Sequence, residues 1–336
     1  MKKRILWIDA VKGIAILMIF AVHIENWLQL FANYEFIQRI IYKGILGVEI
    51  TYIVNSYLLC AKCEKIGVNN ITTIWGGVLK YSCIRVLPLY WLALIIFIIY
   101  NQLGLLNENC SFVNVVSHFF LFQWIRPLWF NTFPGTGYMG ILSLMWILFP
   151  FYKRIIHSFE TALLGFAVVI SITTIFGLAL IHVLNIGDSV INYILYICRG
   201  LQSFSLGVLL FYIKQISFSN RKIVACSLQI ISFICCLLLL LNNCGYMVLY
   251  TLFIIFIILS LDLYPVKIVV NPVFCFLGKH IFGIYLCHIL LYLGLSKFIL
   301  NPYSLIVIVF CLSILLSVLL EKCLEKPLIK RIKGMI

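Results

Sequence analysis

One apolar segment near the amino terminus carries ionisable side chains where a membrane-spanning helix would have to bury them. The segment, Ile5 to Trp27, reads ILWIDAVKGIAILMIFAVHIENW and contains Asp9, Lys12 and His23. At about 100° and 1.5 Å per residue, Lys12 and His23 fall on one side of a helix, roughly 16 Å apart along its axis. Asp9 precedes Lys12 by one turn, close enough to pair with it. The sequence therefore predicts one polar stripe along an otherwise apolar helix.

Charged groups in such a helix need a physical reason. Placing a Lys at the centre of a membrane costs at least about 2.5 kcal/mol, so ionisable residues there normally face the protein interior and serve a function. The alternative is that the side chains extend to the membrane surface. That alternative suits Asp9, but it cannot cover both Lys12 and His23. The stripe therefore predicts a functional pair.

Composition indicates an integral membrane protein. The chain has 336 residues, of which 64% are hydrophobic and 11% charged, and soluble domains do not have this composition. The net charge of +14 does not indicate nucleic-acid binding, because the Lys and Arg residues occur in short clusters between apolar segments. We expect one all-α transmembrane domain over residues 1–336. Segments of about 20 apolar residues predict ten transmembrane helices: 5–27, 44–61, 81–100, 138–155, 162–183, 193–213, 222–241, 246–263, 278–297 and 303–321.

The distribution of basic residues predicts the orientation. With ten spans, 18 of the 25 Lys and Arg residues lie on the side of the two termini, and four lie on the other side. By the positive-inside rule, both termini are predicted to be cytoplasmic. The basic residues before the first span resemble a secretory signal, but the span is too long and no cleavage site follows, so we expect it to be retained. The expected location is a cell membrane, in a bacterium the cytoplasmic membrane.

Glu49 is the acidic residue that the spans bury most clearly. It lies about five residues inside the second predicted span, which is nearly the depth of His23 in the first. A carboxylate at that depth can orient and charge an imidazole. The equal alternative is that Glu49 pairs with Lys43 or Arg199.

Two cations share the inner layer of the predicted bundle. Arg85, in the third span, lies roughly 6 Å inside the cytoplasmic boundary, and Lys12 lies roughly 10 Å inside it. A guanidinium fork and an ammonium together suit a phosphate-bearing ligand that arrives from the cytoplasm. The alternative is anchoring at the membrane surface, which fits Arg85 less well than Lys80.

The 13 cysteines do not predict a metal or redox site. Most occupy positions that a helix would bury or turn towards lipid, where Cys behaves as a small apolar residue. Cys60 and Cys63 form the only C-x-x-C pair, without a second pair or a nearby His at ligand spacing.

The longest stretch between predicted spans is the outer loop from Asn101 to Gly137. Its middle reads FVNVVSHFFLFQWI. This part is apolar enough to lie in the membrane interface or to re-enter the bundle.

Six segments, in the right order, resemble the membrane acyltransferase 3 family. The K-x10-H spacing of Lys12 and His23 resembles the R-x10-H of the family's first helix. The other five are GILGVEITYIVNSYLL, IRVLPLYW, PGTGYMGILSLMWILFP, CRGLQSFSLGVLLFYI and FLGKHIFGIYLCHI. The resemblance implies transfer of an acyl group, usually acetyl from acetyl-CoA, to a hydroxyl of a cell-surface glycan or of its lipid-linked precursor. Acetyl-CoA is then a substrate, and no bound cofactor is expected.

The resemblance also implies roles for individual residues. A thioester is already activated, so the reaction needs a base for the acceptor hydroxyl, and an imidazole with an ordinary pKa of about 6.5 suits that task. His23 is the expected base, assisted by Glu49, and an acyl-histidine intermediate is an open alternative. The phosphates of coenzyme A would bind Lys12 and Arg85. Three residues of the family-like later spans are further candidates for the site: Arg199, Tyr285 and His288.

The sequence also departs from the family pattern. Lys12 replaces the usual Arg, Ser82 replaces a second Arg of the third span, and Gly137 and Leu142 differ from the fourth-span motif. Two other classes of function therefore stay open. One is a transporter, although no inverted repeat is visible. The other is a non-catalytic polysaccharide assembly or export protein.

Overall fold

The computed structural model describes residues 5–66, 71–106, 110–125, 137–183, 188–216, 221–241 and 257–334, and every regular element within these ranges is a helix. The predicted all-α class is therefore confirmed for this part of the chain. In chain order the α-helices are α1 (Leu6–Leu28), α2 (Glu35–Tyr42), α3 (Leu46–Ile66), α4 (Ile71–Arg85), α5 (Leu87–Gln102), α6 (Phe112–Phe119), α7 (Gly137–Ile155), α8 (Phe159–Val183), α9 (Asp188–Ile213), α10 (Arg221–Leu241), α11 (257–263), α12 (Pro272–Lys279), α13 (Ile281–Leu295), α14 (Pro302–Leu320) and α15 (Lys326–Gly334). Short 3-10 helices cover Lys43–Ile45 and Gln123–Ile125, and Glu321–Glu325 is a π-helix.

The chain forms two compact units. The first comprises Met1–Ile66, Ile156–Ile172 and Leu201–Lys279, and the second comprises Gly67–Ile155, Thr173–Gly200 and His280–Ile336. Helices α8 and α9 each contribute residues to both units. A single domain over the whole chain stays a prediction.

Several helices are long and apolar enough to cross a membrane. Within the described ranges there are five such segments: Leu6–Leu28, Glu35–Glu64, Phe159–Gly177, Ile194–Ile213 and Pro302–Arg331. A sixth is present if α12 and α13 count as one broken span. The protein is thus a helical protein with multiple candidate membrane spans. Ten spans and cytoplasmic termini remain predictions, and residues 246–256 of the predicted eighth span lie outside the described residues.

Three predicted spans differ from the observed helices. The segment 81–100 is not one helix, because α4 ends at Arg85 and α5 begins at Leu87, with Pro88 in its first turn. Proline lacks an N–H and suits the first turn of a helix, so it favours a new start there. The segment 278–297 is likewise interrupted at His280, whose backbone is not helical. The second span begins earlier than predicted, at Glu35 rather than residue 44.

Glycines bring α1 and α12 of the first unit into backbone contact. Gly13 of α1 faces the carbonyl of Phe274, and Gly278 of α12 faces the carbonyl of Asp9. A Cβ atom at either glycine would overlap the opposing main chain. Small residues of this kind allow helices in a membrane to approach closely.

A second glycine contact sets the register between α1 and α3. Gly44, just before α3, packs against Met18, and Gly47 packs against Ala15. From Gly44 to Gly47 the chain advances three residues, while the contacted residue of α1 moves back three, from Met18 to Ala15. The two helices are antiparallel and closely packed.

In the second unit, α13 packs against α5 and α14. A Cβ atom at Gly294 would lie 2.7 Å from the hydroxyl of Tyr100 in α5, and Gly283 faces the side chain of Ser317 in α14. Beyond these helices, Lys297 donates a hydrogen bond to the carbonyl of Gly104 at 3.3 Å. The C-terminal ends of α5 and α13 therefore lie side by side.

Candidate active site

Helix α1 carries both members of the predicted pair without interruption. It runs from Leu6 to Leu28, and the side chains of Lys12 and His23 are each half-buried. Their axial separation is therefore the roughly 16 Å that the helical rise predicts. The ring of His23 lies 5.4 Å, centroid to centroid, from that of Trp27 one turn later. The prediction that one helix bears a Lys and a His on one side is confirmed.

The stripe lies between the two packed sides of α1. Gly13 marks the side that faces α12, and Ala15 marks the side that faces α3. At about 100° per residue, Ala15 is about 200° from Gly13, whereas Lys12 and His23 are at about 260° and 280°. Both side chains therefore leave α1 between these two directions, about 60–80° from the side that faces α3 and about 80–100° from the side that faces α12. Both are half-buried there.

A buried carboxylate fixes the end of α1 that carries His23. Glu25 is 1% exposed and accepts hydrogen bonds from the backbone N–H of Phe31, at 3.2 and 3.3 Å, and from the side-chain amide of Gln38, at 3.0 Å. The helix ends at Leu28, and the capping residue Gln29, which has φ 49°, donates its N–H to the carbonyl of Glu25. Sequence reasoning missed Glu25. Its position near a helix end was the only available signal, because Gln38 is 13 residues away.

The packing register places Glu49 away from the depth of His23. Because Gly47 packs against Ala15 and the helices are antiparallel, Glu49, two residues further along α3, lies level with Gly13 of α1. Gly13 is roughly 15 Å along the axis from His23. The depth predicted for Glu49 from the sequence differs from this position, because the prediction assumed that the second span begins at residue 44.

Glu49 also lies on the far side of α3 from α1. It is 3% exposed, and at about 100° per residue it is about 200° around α3 from Gly47. This is the side on which Ser56 faces Gly207 of α9. This register does not support a direct contact between Glu49 and the imidazole of His23, and their partnership stays a prediction.

A lysine at the end of α9 binds to partners within the first unit. Lys214 donates hydrogen bonds to the hydroxyl of Tyr57, at 3.0 Å, and to the carboxylate of Asp262, at 3.2 Å. Burial lowers the pKa of Lys214, but the hydrogen bond to Tyr57 and the charge of Asp262 outweigh it and raise the pKa above the ordinary value. Lys214 thus acts as a clamp between α9, α3 and α11. The partners are distant in sequence, so no local pattern predicted it.

The other predicted site residues belong to the second unit. Arg85 is the last residue of α4, and its side chain lies outside the described part of the structure. The half-buried guanidinium of Arg199 lies 5.4 Å from the ring centroid of Tyr196, within the range of a cation–π contact. Arg199 therefore has an aromatic partner one turn away on its own helix.

Tyr285 and His288 are both buried in α13. Their rings lie 5.9 Å apart, and Tyr285 also makes an edge contact, at 5.6 Å, with Tyr138 of α7. Nδ1 of His288 is 3.0 Å from the carbonyl of Ile284. A carbonyl can only accept, so Nδ1 of His288 carries a proton and donates it in this contact. Because the N–H is used within its own helix, this contact is local.

A comparison with protein-family models identifies the family to which this chain belongs. A family model described as "Acyltransferase domain" matches residues 5–322, nearly the whole chain. The chain belongs to the acyltransferase 3 family. Neither a search of curated proteins nor a search of solved structures found a match.

Family membership assigns the broad activity of this acyltransferase 3 protein. The family implies acyl transfer, and the candidate membrane spans agree with a membrane enzyme. The matched range contains Lys12 and His23 on α1 and also Tyr285 and His288 on α13. The family therefore gives the kind of reaction, whereas the roles of the individual residues have to be argued from their chemistry.

Proposed function

We propose that this protein transfers an acetyl or other short acyl group from acyl-CoA to a hydroxyl of a cell-surface glycan or of its lipid-linked precursor. The observation that carries the proposal is the half-buried pair Lys12 and His23 on one side of an uninterrupted helix. A base and a cation held in fixed directions are what transfer from a phosphate-bearing thioester requires.

His23 is the proposed base. Its imidazole accepts the proton of the acceptor hydroxyl while the oxygen attacks the thioester carbonyl carbon. The C–S bond then breaks, and coenzyme A leaves as a thiolate that takes the proton. The products are an ester and a free thiol. No change of oxidation state occurs, and the reaction needs no metal.

Lys12 is the proposed contact for the phosphates of the donor. An ammonium on the same stripe, roughly 16 Å from His23, leaves the length of a pantetheine arm between the phosphates and the thioester. Arg85 stays a second candidate on the strength of the sequence alone. With both termini in the cytoplasm, the end of α1 that holds Lys12 would face the cytoplasmic pool of acyl-CoA.

Glu49 is not required as a direct partner of the imidazole in this proposal. The packing register of α1 and α3 supports a position of Glu49 on the α9 side of α3, level with Gly13. We therefore assign proton transfer to His23 alone and give Glu49 a positioning role within the packing of α3. Arg199, Tyr285 and His288 remain candidates from the sequence.

The experiment that tests the proposal follows release of free thiol. Purified protein is mixed with acetyl-CoA and a membrane extract that contains acceptor, and the wild type is compared with His23→Ala. Thiol release that depends on both protein and extract supports an acyltransferase. If the wild type releases no thiol in the presence of acetyl-CoA and extract, the result would favour a transporter or an assembly protein.

A further inference from the structure

The segment from Phe112 to Ile125, which we call the aromatic hairpin, has an inverted distribution of polarity. Six of its large apolar side chains are exposed, among them Phe112 at 81%, Phe120 at 57% and Ile125 at 55%, whereas Leu121 at the turn is buried. Its polar side chains are buried instead: Asn114, Ser117, His118 and Gln123. A water-exposed loop would show the opposite pattern, because burying polar groups is costly and exposing large apolar patches is rare in water.

Hydrogen bonds place the hairpin deep along α5. The hydroxyl of Tyr90 lies 3.0 Å from Nδ1 of His118, and it accepts a hydrogen bond from the side-chain amide of Gln123 at 2.7 Å. Tyr90 precedes Gln102, at the end of α5, by 12 residues, which is roughly 18 Å of helix. The apolar core of a membrane is about 30 Å thick. With the outer end of α5 at the membrane surface, as the predicted third span implies, the hairpin reaches about halfway into that core.

The start of α7 gives a second and independent measure of depth. Tyr138 contacts Tyr285 of α13, and Tyr285 precedes Gly294, which packs against Tyr100, by nine residues. This is roughly 13 Å below the ends of α5 and α13. With those helix ends at the membrane surface, helix α7, which follows the hairpin in the chain, also begins inside the apolar layer.

Side chains of the neighbouring helices satisfy the backbone of the hairpin turn. The indole N–H of Trp91 donates to the carbonyl of Phe119 at 2.8 Å, and the hydroxyl of Ser143 donates to the carbonyl of Leu121 at 2.6 Å. Leu121 itself has a φ of 58°. Non-helical backbone at membrane depth is tolerated only where the protein supplies such partners. The turn therefore has the support that a re-entrant segment needs.

The exposed face of the hairpin continues an exposed face of α5. Phe119 stacks on Trp91 with ring centroids 4.6 Å apart and planes inclined by 3°. Ile95 and Ile99, one and two turns along α5 from Trp91, are both exposed. The two elements together present one continuous apolar surface.

We propose that the aromatic hairpin is a re-entrant segment whose phenylalanine face contacts the acyl chains of the bilayer, while its polar side is anchored to Tyr90. The partner is the lipid, because the surface is apolar, lies at membrane depth and continues the outer face of a helix. The proposal does not rest on the function proposed above.

Photocrosslinking tests the proposal on the whole protein. We would replace Phe120 with p-benzoyl-phenylalanine, reconstitute the protein in nanodiscs of phosphatidylcholine and phosphatidylglycerol, irradiate, and identify adducts by mass spectrometry. Leu164, exposed on α8 within a candidate span, is the positive control, and the buried Phe97 of α5 is the negative control. A p-benzoyl-phenylalanine replacement of Gln102 serves as the control for a position expected at the membrane surface. Each variant is used only if it elutes as a single species.

Lipid adducts on acyl-chain carbons at Phe120, as at Leu164 and unlike Phe97, are the expected result. Adducts at Leu164 but none at Phe120 would overturn the proposal. Crosslinks from Phe120 to a second copy of the chain, or to an added oligosaccharide, would overturn it as well, since they would assign the surface to a protein or to a glycan.

Discussion

Gly278 of α12 lies directly against the backbone carbonyl of Asp9 in α1. The contact joins two main chains, so the rotation of α1 about its axis does not depend on flexible side chains. Lys12 follows Asp9 by less than one turn. The direction in which the polar stripe points is therefore set by a glycine on another helix.

Gly278→Ala should strongly destabilise the protein, because the added methyl group has to displace the main chain of α1. Overpacking of this kind costs typically about 1–3 kcal/mol and occasionally more. Gly76→Ala is the matched control, since no atom lies within 4 Å of a Cβ there, and alanine favours a helix interior. Thermal unfolding in detergent measures both. Equal melting temperatures for the two variants would contradict the observed packing of α1 and α12.

The stripe on α1 could be predicted from the sequence, but the partners of its residues could not. Helical periodicity alone puts Lys12 and His23 on one side, and the structure keeps them there. The break between α4 and α5 also had a local signal in Pro88. By contrast, the position of Glu49 depends on where the second helix begins and on which glycines meet α1. Neither quantity is encoded locally, so an estimate of depth from the span boundary was misleading.

The partners of Tyr57 and of the aromatic hairpin also could not be predicted from local sequence patterns, because they are distant in the chain. Lys214 is 157 residues from Tyr57, and His118 is 28 residues from Tyr90. A hydropathy pattern indicates that residues 112–125 prefer an apolar environment. It does not show which helix supplies the hydroxyl with which their polar side chains form hydrogen bonds.

His23→Ala should abolish acyl transfer while leaving the protein folded and inserted, because the half-buried ring is proposed as the only base on the stripe. His157→Ala is the control, since His157 is an exposed histidine of the same unit. Thiol release from acetyl-CoA measures activity, and size-exclusion chromatography checks the fold. Activity above a few per cent in His23→Ala would transfer the role to His288.

Glu25→Ala should destabilise the end of α1, because two N–H groups lose a buried acceptor, and leaving such donors unpaired costs about 1–3 kcal/mol. Glu25→Gln retains one acceptor oxygen and should lie between Ala and the wild type. Glu35→Ala is the matched control, as Glu35 forms only an exposed pair with Arg39, worth about 0–1 kcal/mol. Melting temperatures of the variants measure the effect. If Glu25→Ala is as stable as Glu35→Ala, Glu25 does not have the proposed structural role.

Both termini are expected in the cytoplasm. Labelling of an introduced cysteine, or a reporter fusion, at Asn107 should report the outer side, and at Lys65 or Ile216 the inner side. The expectation follows from the 18 to 4 distribution of basic residues under the positive-inside rule. The reverse pattern would move the proposed entry of the donor to the opposite face of the membrane.

Lys12→Ala should weaken acetyl-CoA binding roughly ten- to a hundredfold, because a hydrogen-bonded charge contact is worth about 1.5–3 kcal/mol. Lys12→Arg should bind almost normally, since a guanidinium also contacts phosphate, and acceptor affinity should barely change in either variant. Lys222→Ala, at an exposed lysine of the same unit, controls for the loss of a positive charge. Isothermal titration with acetyl-CoA provides the measurement. If Lys12→Ala preserves donor affinity and only lowers the protein yield, Lys12 is a structural partner of Asp9, and the proposed donor contact is wrong.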